Sequence, residues 1–79
     1  MKVKVSLFGT LGNKFPDHDP LHGFEIEIPA DASVGVLLDQ LDIPKSKIGL
    51  VSVQGRLVKA GKTLKQGDFI RIFRPIFGG

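Results

Sequence analysis

Lys65-Gln66-Gly67-Asp68-Phe69-Ile70-Arg71-Ile72-Phe73-Arg74-Pro75-Ile76-Phe77-Gly78-Gly79 is the stretch around which the remaining residues arrange themselves. It opens on a turn, Gln66-Gly67-Asp68, in which Gly67 can take a positive φ with no Cβ to clash. A β-prone run follows, with Ile70 and Ile72 on one face and Phe69, Arg71 and Phe73 on the other. Pro75 ends the pairing because it has no N–H to donate to a neighbouring strand. Ile76-Phe77 is a short apolar step, and Gly78-Gly79 would carry a terminal carboxylate with no side chain beside it. Two glycines in that place supply steric access; they add no packing and cost order.

Outward from that run, Lys2-Val3-Lys4-Val5-Ser6-Leu7-Phe8 alternates in the same way, with Val3, Val5 and Leu7 inward. Gly9 and Gly12 break this strand, and residues 13–23, with Pro16, Pro20 and Gly23, read as a long polar loop. Phe24-Glu25-Ile26-Glu27-Ile28 alternates again, with Phe24, Ile26 and Ile28 inward, and stops at Pro29. The first two strands should therefore form an antiparallel pair in which Glu25 and Glu27 face Lys2 and Lys4.

Ser33 has the chemistry of an N-cap, and Val34, Leu37, Leu38 and Leu41 form one apolar stripe at helical spacing. This predicts a single helix over roughly residues 33–42, ended by Pro44 because the residue before a proline avoids the helical region. Ile48 packs behind a solvated Lys45-Ser46-Lys47 connector. A strand over residues 49–54 follows with Val51 and Val53 inward, then a Gln54-Gly55 turn and a short strand, Arg56-Leu57-Val58. Residues 60–64 form a loop over the edge of the core. The order is β-β-α-β-β-β. The first and last strands are the longest and most regular, so they lie side by side, parallel, at the centre of a mixed sheet of about five strands. One helix crossing one face of such a sheet is the β-grasp, an α+β two-layer fold.

Seventy-nine residues make one domain, residues 1–79, with an extended tail over residues 74–79. The absence of cysteine excludes disulfides and thiolate metal sites, so stability rests on a patterned core, for which 42% hydrophobic residues suffice. No apolar run approaches the ~20 residues that span a bilayer, and no export signal follows Met1, which points to the cytoplasm and away from a membrane. The net charge of +3 is spread out, with no two basic residues adjacent. That spacing argues against a nucleic-acid surface, which clusters its basic residues.

Three stretches invite a chemical reading of their own. Gly61-Lys62-Thr63 resembles the end of a phosphate loop, but the spacing from Gly55 is one residue too long and no strand-loop-helix context surrounds it. His18 and His22, beside Asp17 and Asp19, have a spacing that would bind metal on a helix, which Pro16, Pro20 and Gly23 forbid; a solvated loop with no metal is the better reading. No catalytic constellation stands out, so the chain is not expected to be an enzyme. Phe69, Arg71, Phe73 and Arg74 are different: two phenylalanines on an outer face, rimmed by arginine, match the composition of docking surfaces. Packing beneath the loop over residues 9–22 is the competing explanation.

Leu64-Lys65-Gln66-Gly67-Asp68, an alternating strand, a proline and a terminal Gly78-Gly79 resemble the C-terminus of the ThiS/MoaD family. These are ubiquitin-like β-grasp sulfur carriers, among them the small subunit of molybdopterin synthase and the thiazole-pathway carrier of thiamine biosynthesis. The resemblance covers essentially the whole chain in the order of its elements. It implies that an E1-like adenylating enzyme, using its own Mg-ATP, activates Gly79, and that a sulfur-donor protein converts it to a thiocarboxylate. An acceptor synthase subunit then takes the sulfur, and no cofactor is bound by the carrier itself. Pro75, Ile76, Phe77 and Gly78 would thread the partner's channel, since six extended residues reach roughly 20 Å and glycine passes a narrow channel without side-chain clash. Molybdopterin synthase small subunits commonly carry two prolines and a small residue before Gly-Gly. Arg74-Pro75-Ile76-Phe77 departs from that pattern and leaves the acceptor pathway open. Two alternatives share these features: a ubiquitin-like modifier joined through Gly79 to lysine, and a non-covalent module binding through Phe69 and Phe73.

Overall fold

The computed structural model describes residues 1–8 and 23–75. Among these residues, five strands and one α-helix follow in the order β1 (Lys2–Leu7), β2 (Phe24–Glu27), α1 (Val34–Gln40), β3 (Leu50–Val53), β4 (Arg56–Val58) and β5 (Phe69–Phe73), with a 3-10 turn at Lys45–Lys47 before β3. The sheet order is β2-β1-β5-β3-β4. β1 and β5 are parallel and central, and the other three pairings are antiparallel. This is the mixed β-grasp sheet that the alternation of β1 and β5 predicts.

Register explains why the two central strands seek each other. Val5 lies opposite Ile70 and Leu7 opposite Ile72, and all four are at most 1% exposed. On the other side of β5, Val51 pairs with Ile72 and Val53 with Ile70, so one face of the sheet carries a continuous branched aliphatic surface. The helix covers that face with Val34, Leu37, Leu38 and Leu41, all buried. Fully burying each such side chain contributes about 1.5–3 kcal/mol, which makes this layer the main source of stability. The edge pair Phe24 and Ile26 is only partly buried against the same core.

Local chemistry fixes the element ends. The Ser33 hydroxyl accepts the amide of Val36 at 3.3 Å, as expected of an N-cap. The helix stops before Pro44, because Asp42 takes a left-handed conformation with φ 59°. Its amide donates to the Asp39 carbonyl and that of Ile43 to the Leu38 carbonyl, the Schellman pattern, with Ile43 and Leu38 both buried. The expected helix over 33–42 is therefore shortened to Val34–Gln40, and Asp42 rather than Pro44 ends it. Gln54 and Gly55 both have positive φ, the requirement of a two-residue type I′ hairpin between β3 and β4.

Candidate functional site

The turn ahead of β5 is tied to the start of β1. The Gly67 amide donates to the Lys2 carbonyl at 2.8 Å, and the Lys2 amide donates to Gln66 Oε1 at 2.8 Å. Asp68 Oδ2 accepts the amide of Lys65 at 2.9 Å, closing the turn on itself. Gly67 has φ 84°, with open space around the position of a Cβ, so conformation and not crowding requires glycine there. These bonds set the register in which β5 leaves the turn.

On β5, Ile70 and Ile72 point into the core, while Phe69, Arg71 and Phe73 occupy the face opposite α1 and are half-buried. Pairing extends that face sideways. Arg71 lies between Ser6 of β1 and Ser52 of β3, and Phe73 lies opposite Leu50. Ser52 in turn faces Leu57 of β4. Leu50 is 48% and Leu57 67% exposed, the most exposed large aliphatics among the described residues. The Arg71 guanidinium carbon sits 4.6 Å from the centre of the Phe69 ring, a cation–π contact. Phe73 stacks on Phe8. The result is a face of mixed aromatic, aliphatic and guanidinium groups, with Glu25 opposite Lys4 and Glu27 opposite Lys2 along its far edge.

Sequence alternation places Phe69, Arg71 and Phe73 together. It does not disclose Phe8, Leu50 and Leu57, which join them only through strand register. Arg74 is exposed and Pro75 half-buried at the end of β5. Ile76, Phe77, Gly78 and Gly79 lie outside the described residues, as do the loop over residues 9–22 and its His18 and His22.

Of the other sequence candidates, the Gly61-Lys62-Thr63 loop does not become an anion site. The first-turn amides of α1, which an anion would need, are already used: Val34 donates to the Lys62 carbonyl and Gly35 to that of Ala60. The Gly61-Lys62-Thr63 loop thus caps the helix. Among the described residues no group of three His, Cys, Asp or Glu could hold a metal ion, and no helix is long and apolar enough to cross a membrane. Two grooves of about 310 and 330 Å³ flank β4, at the lower bound of ligand-pocket size. Among the described residues that line them there is no histidine and no pair of carboxylates.

A five-stranded mixed sheet with one helix on one face and an aromatic–arginine face on the other defines a ubiquitin-like β-grasp protein. The profile of the ThiS family matches residues 5–79, and the chain belongs to that family. No curated protein matches it by sequence. Among solved structures it is similar to SAMP1 from Haloferax volcanii, with TM-score 0.74 and 22% identity, covering 100% of both chains. It is similar to a putative molybdopterin converting factor subunit 1 from Pyrococcus furiosus, with TM-score 0.74 and 24% identity over 96% of this chain and 99% of that one. It also resembles a chain in the complex of subunits 1 and 2 of the molybdopterin-converting factor from Helicobacter pylori, with TM-score 0.63 and 22% identity over 100% of both. At these identities the likeness establishes the shared fold.

Proposed function

We propose that this protein is a sulfur carrier, activated at the Gly79 carboxylate by an E1-like adenylating enzyme. Family membership over residues 5–79, a match that includes Gly78-Gly79, is the observation that carries the reading. A carboxylate is a poor electrophile, so it must first be activated. One oxygen of Gly79 attacks the α-phosphorus of the partner's Mg-ATP, the bond to the β-phosphate oxygen breaks, and pyrophosphate leaves. A sulfur nucleophile at the sulfide level then adds to the acyl carbon and expels AMP, leaving a thiocarboxylate. No oxidant or reductant is consumed in these two steps.

The carrier's own contribution is recognition and reach. The face bearing Phe69, Arg71, Phe73 and Arg74 docks on the partner, and Pro75, Ile76, Phe77 and Gly78 carry Gly79 to its active site. Similarity to a chain of the H. pylori complex of subunits 1 and 2 supports a synthase subunit as acceptor. The pathway that receives the sulfur, molybdopterin or thiamine thiazole, is separated by which synthase accepts it.

Similarity to a small archaeal modifier protein from H. volcanii favours a second reading from the same activated tail. There a lysine amine, not sulfur, expels AMP and forms an isopeptide. Both readings require adenylation. The test is ATP–pyrophosphate exchange with the cognate E1-like enzyme: exchange should occur with the wild-type chain and vanish when Gly79 is deleted. Exchange that survives the deletion would refute activation at Gly79. Covalent adducts on other proteins, with no sulfur incorporated, would select the modifier.

A further inference from the structure

We propose that Gly49 is a positioning residue that sets the direction in which the C-terminal tail leaves the sheet. The inference rests on the carrier reading and adds to it the element that aims the reactive end. Gly49 lies immediately before β3, and its amide donates to the carbonyl of Phe73, the last residue of β5, at 2.7 Å. A Cβ at Gly49 would lie 2.6 Å from the Arg74 carbonyl oxygen, 2.6 Å from Pro75 Cα and 2.8 Å from Pro75 N. All three atoms are backbone, so no side-chain rotation relieves the overlap.

Nothing else at this position calls for glycine. Gly49 is exposed, so burial does not demand a small residue, and its φ is not in the left-handed region. The bare Cα is there because the tail passes against it. The segment it touches is also the stiffest part of the tail. Pro75 has its φ locked by the ring, and Arg74, preceding a proline, is confined to extended conformations. A contact at Arg74–Pro75 therefore fixes a direction and not merely a point.

An alanine would push the tail base aside by roughly 1 Å to restore ordinary contact at about 3.5–4.0 Å. The four residues beyond Pro75 reach at most about 14 Å, so a small change of angle at the base is magnified at Gly79. Misplacing a reacting group by ~1 Å can cost on the order of 10²-fold in rate. The docking face on β5 is untouched by the change.

The test is steady-state pyrophosphate exchange with the cognate adenylating enzyme, comparing wild type, Gly49→Ala and Gly61→Ala. A Cβ at Gly61 would meet no atom within 4 Å, and its φ is not left-handed, so that variant adds the same methyl group without a clash. We expect Gly49→Ala to lower kcat by about 10- to 100-fold with KM within about threefold of wild type, while Gly61→Ala matches wild type in both. An unchanged kcat in Gly49→Ala, or an equal loss in Gly61→Ala, would overturn the proposal. A rise in KM alone would also overturn it, because it would assign Gly49 to docking. Should Gly49→Ala fail to fold, the wild-type protein decides by nuclear Overhauser effects between the Gly49 α-protons and Pro75, whose absence would refute the contact. If wild type shows no exchange, the carrier reading fails, and the same effects still decide whether Gly49 positions the tail.

Discussion

The ring of Phe73 stacks on that of Phe8, with centroids 4.7 Å apart and planes inclined by 12°. Phe8 follows β1 and donates its amide to the Ile72 carbonyl at 3.0 Å, so the two rings close the end of the parallel β1–β5 pair from which the tail departs. From alternation alone, Phe73 reads as an outward residue whose loss leaves the fold nearly intact. The stack gives it a second, structural role.

Phe73→Ser should therefore both destabilise the domain moderately and weaken binding to the adenylating partner. Aromatic pairs contribute about 0.5–1.5 kcal/mol beyond their buried area. A double-mutant cycle with Phe8→Leu and Phe73→Leu in urea should return a coupling of that size. A coupling indistinguishable from zero would mean that the stack contributes nothing and that Phe73 has no structural role through Phe8.

The helix stripe provides the contrast. Leu38 is 3% exposed, anchors the Schellman end of α1 through its carbonyl, and packs on the sheet. Leu38→Ala should cost about 2–5 kcal/mol through lost burial and the cavity left behind. That is a large share of a total stability of about 5–15 kcal/mol, so the denaturation midpoint should fall clearly. A denaturation midpoint equal to wild type would show that the stripe is not the core described.

Backbone conformation can be separated from crowding at two other glycines. Gly67 and Gly61 both have open space where a Cβ would stand, but only Gly67 has a positive φ. Gly67→Ala should cost about 1–2 kcal/mol, the left-handed penalty for an L-residue. Gly61→Ala should stay within about ±0.5 kcal/mol, as for surface changes away from structural features. Equal midpoints for the two variants would show that the turn before β5 does not need its left-handed residue.

Much of this fold is legible in the sequence because its signals are local. Val3, Val5 and Leu7 repeat at period two, as do Ile70 and Ile72, and Val34, Leu37, Leu38 and Leu41 repeat at helical spacing. Each pattern names its own buried face. The helix end is less legible, because Pro44 is the conspicuous stop while the actual one is Asp42 adopting a conformation that aspartate takes only occasionally. The face proposed for docking is half legible. Phe69, Arg71 and Phe73 share a strand, but Leu50, Leu57 and Phe8 join them only once the register is fixed. Gly49 is silent in the sequence: its reason is a backbone contact with Arg74 and Pro75, distant along the chain. The readings of Ile76, Phe77, Gly78 and Gly79 rest on family membership and chemistry, since these residues lie outside the described part of the structure.

The carrier claim is tested most directly by weighing the intact protein after incubation with ATP, a sulfide-level sulfur source and its cognate, demonstrably active adenylating enzyme. The expected result is a mass gain equal to replacing one oxygen by sulfur, localised to the peptide that ends in Gly79. That gain should be absent when Gly79 is deleted or a residue is appended after it, with the stability of both variants within about ±0.5 kcal/mol of wild type. No gain by the wild-type chain, or the same gain by the chain lacking Gly79, would contradict activation and sulfur transfer at Gly79.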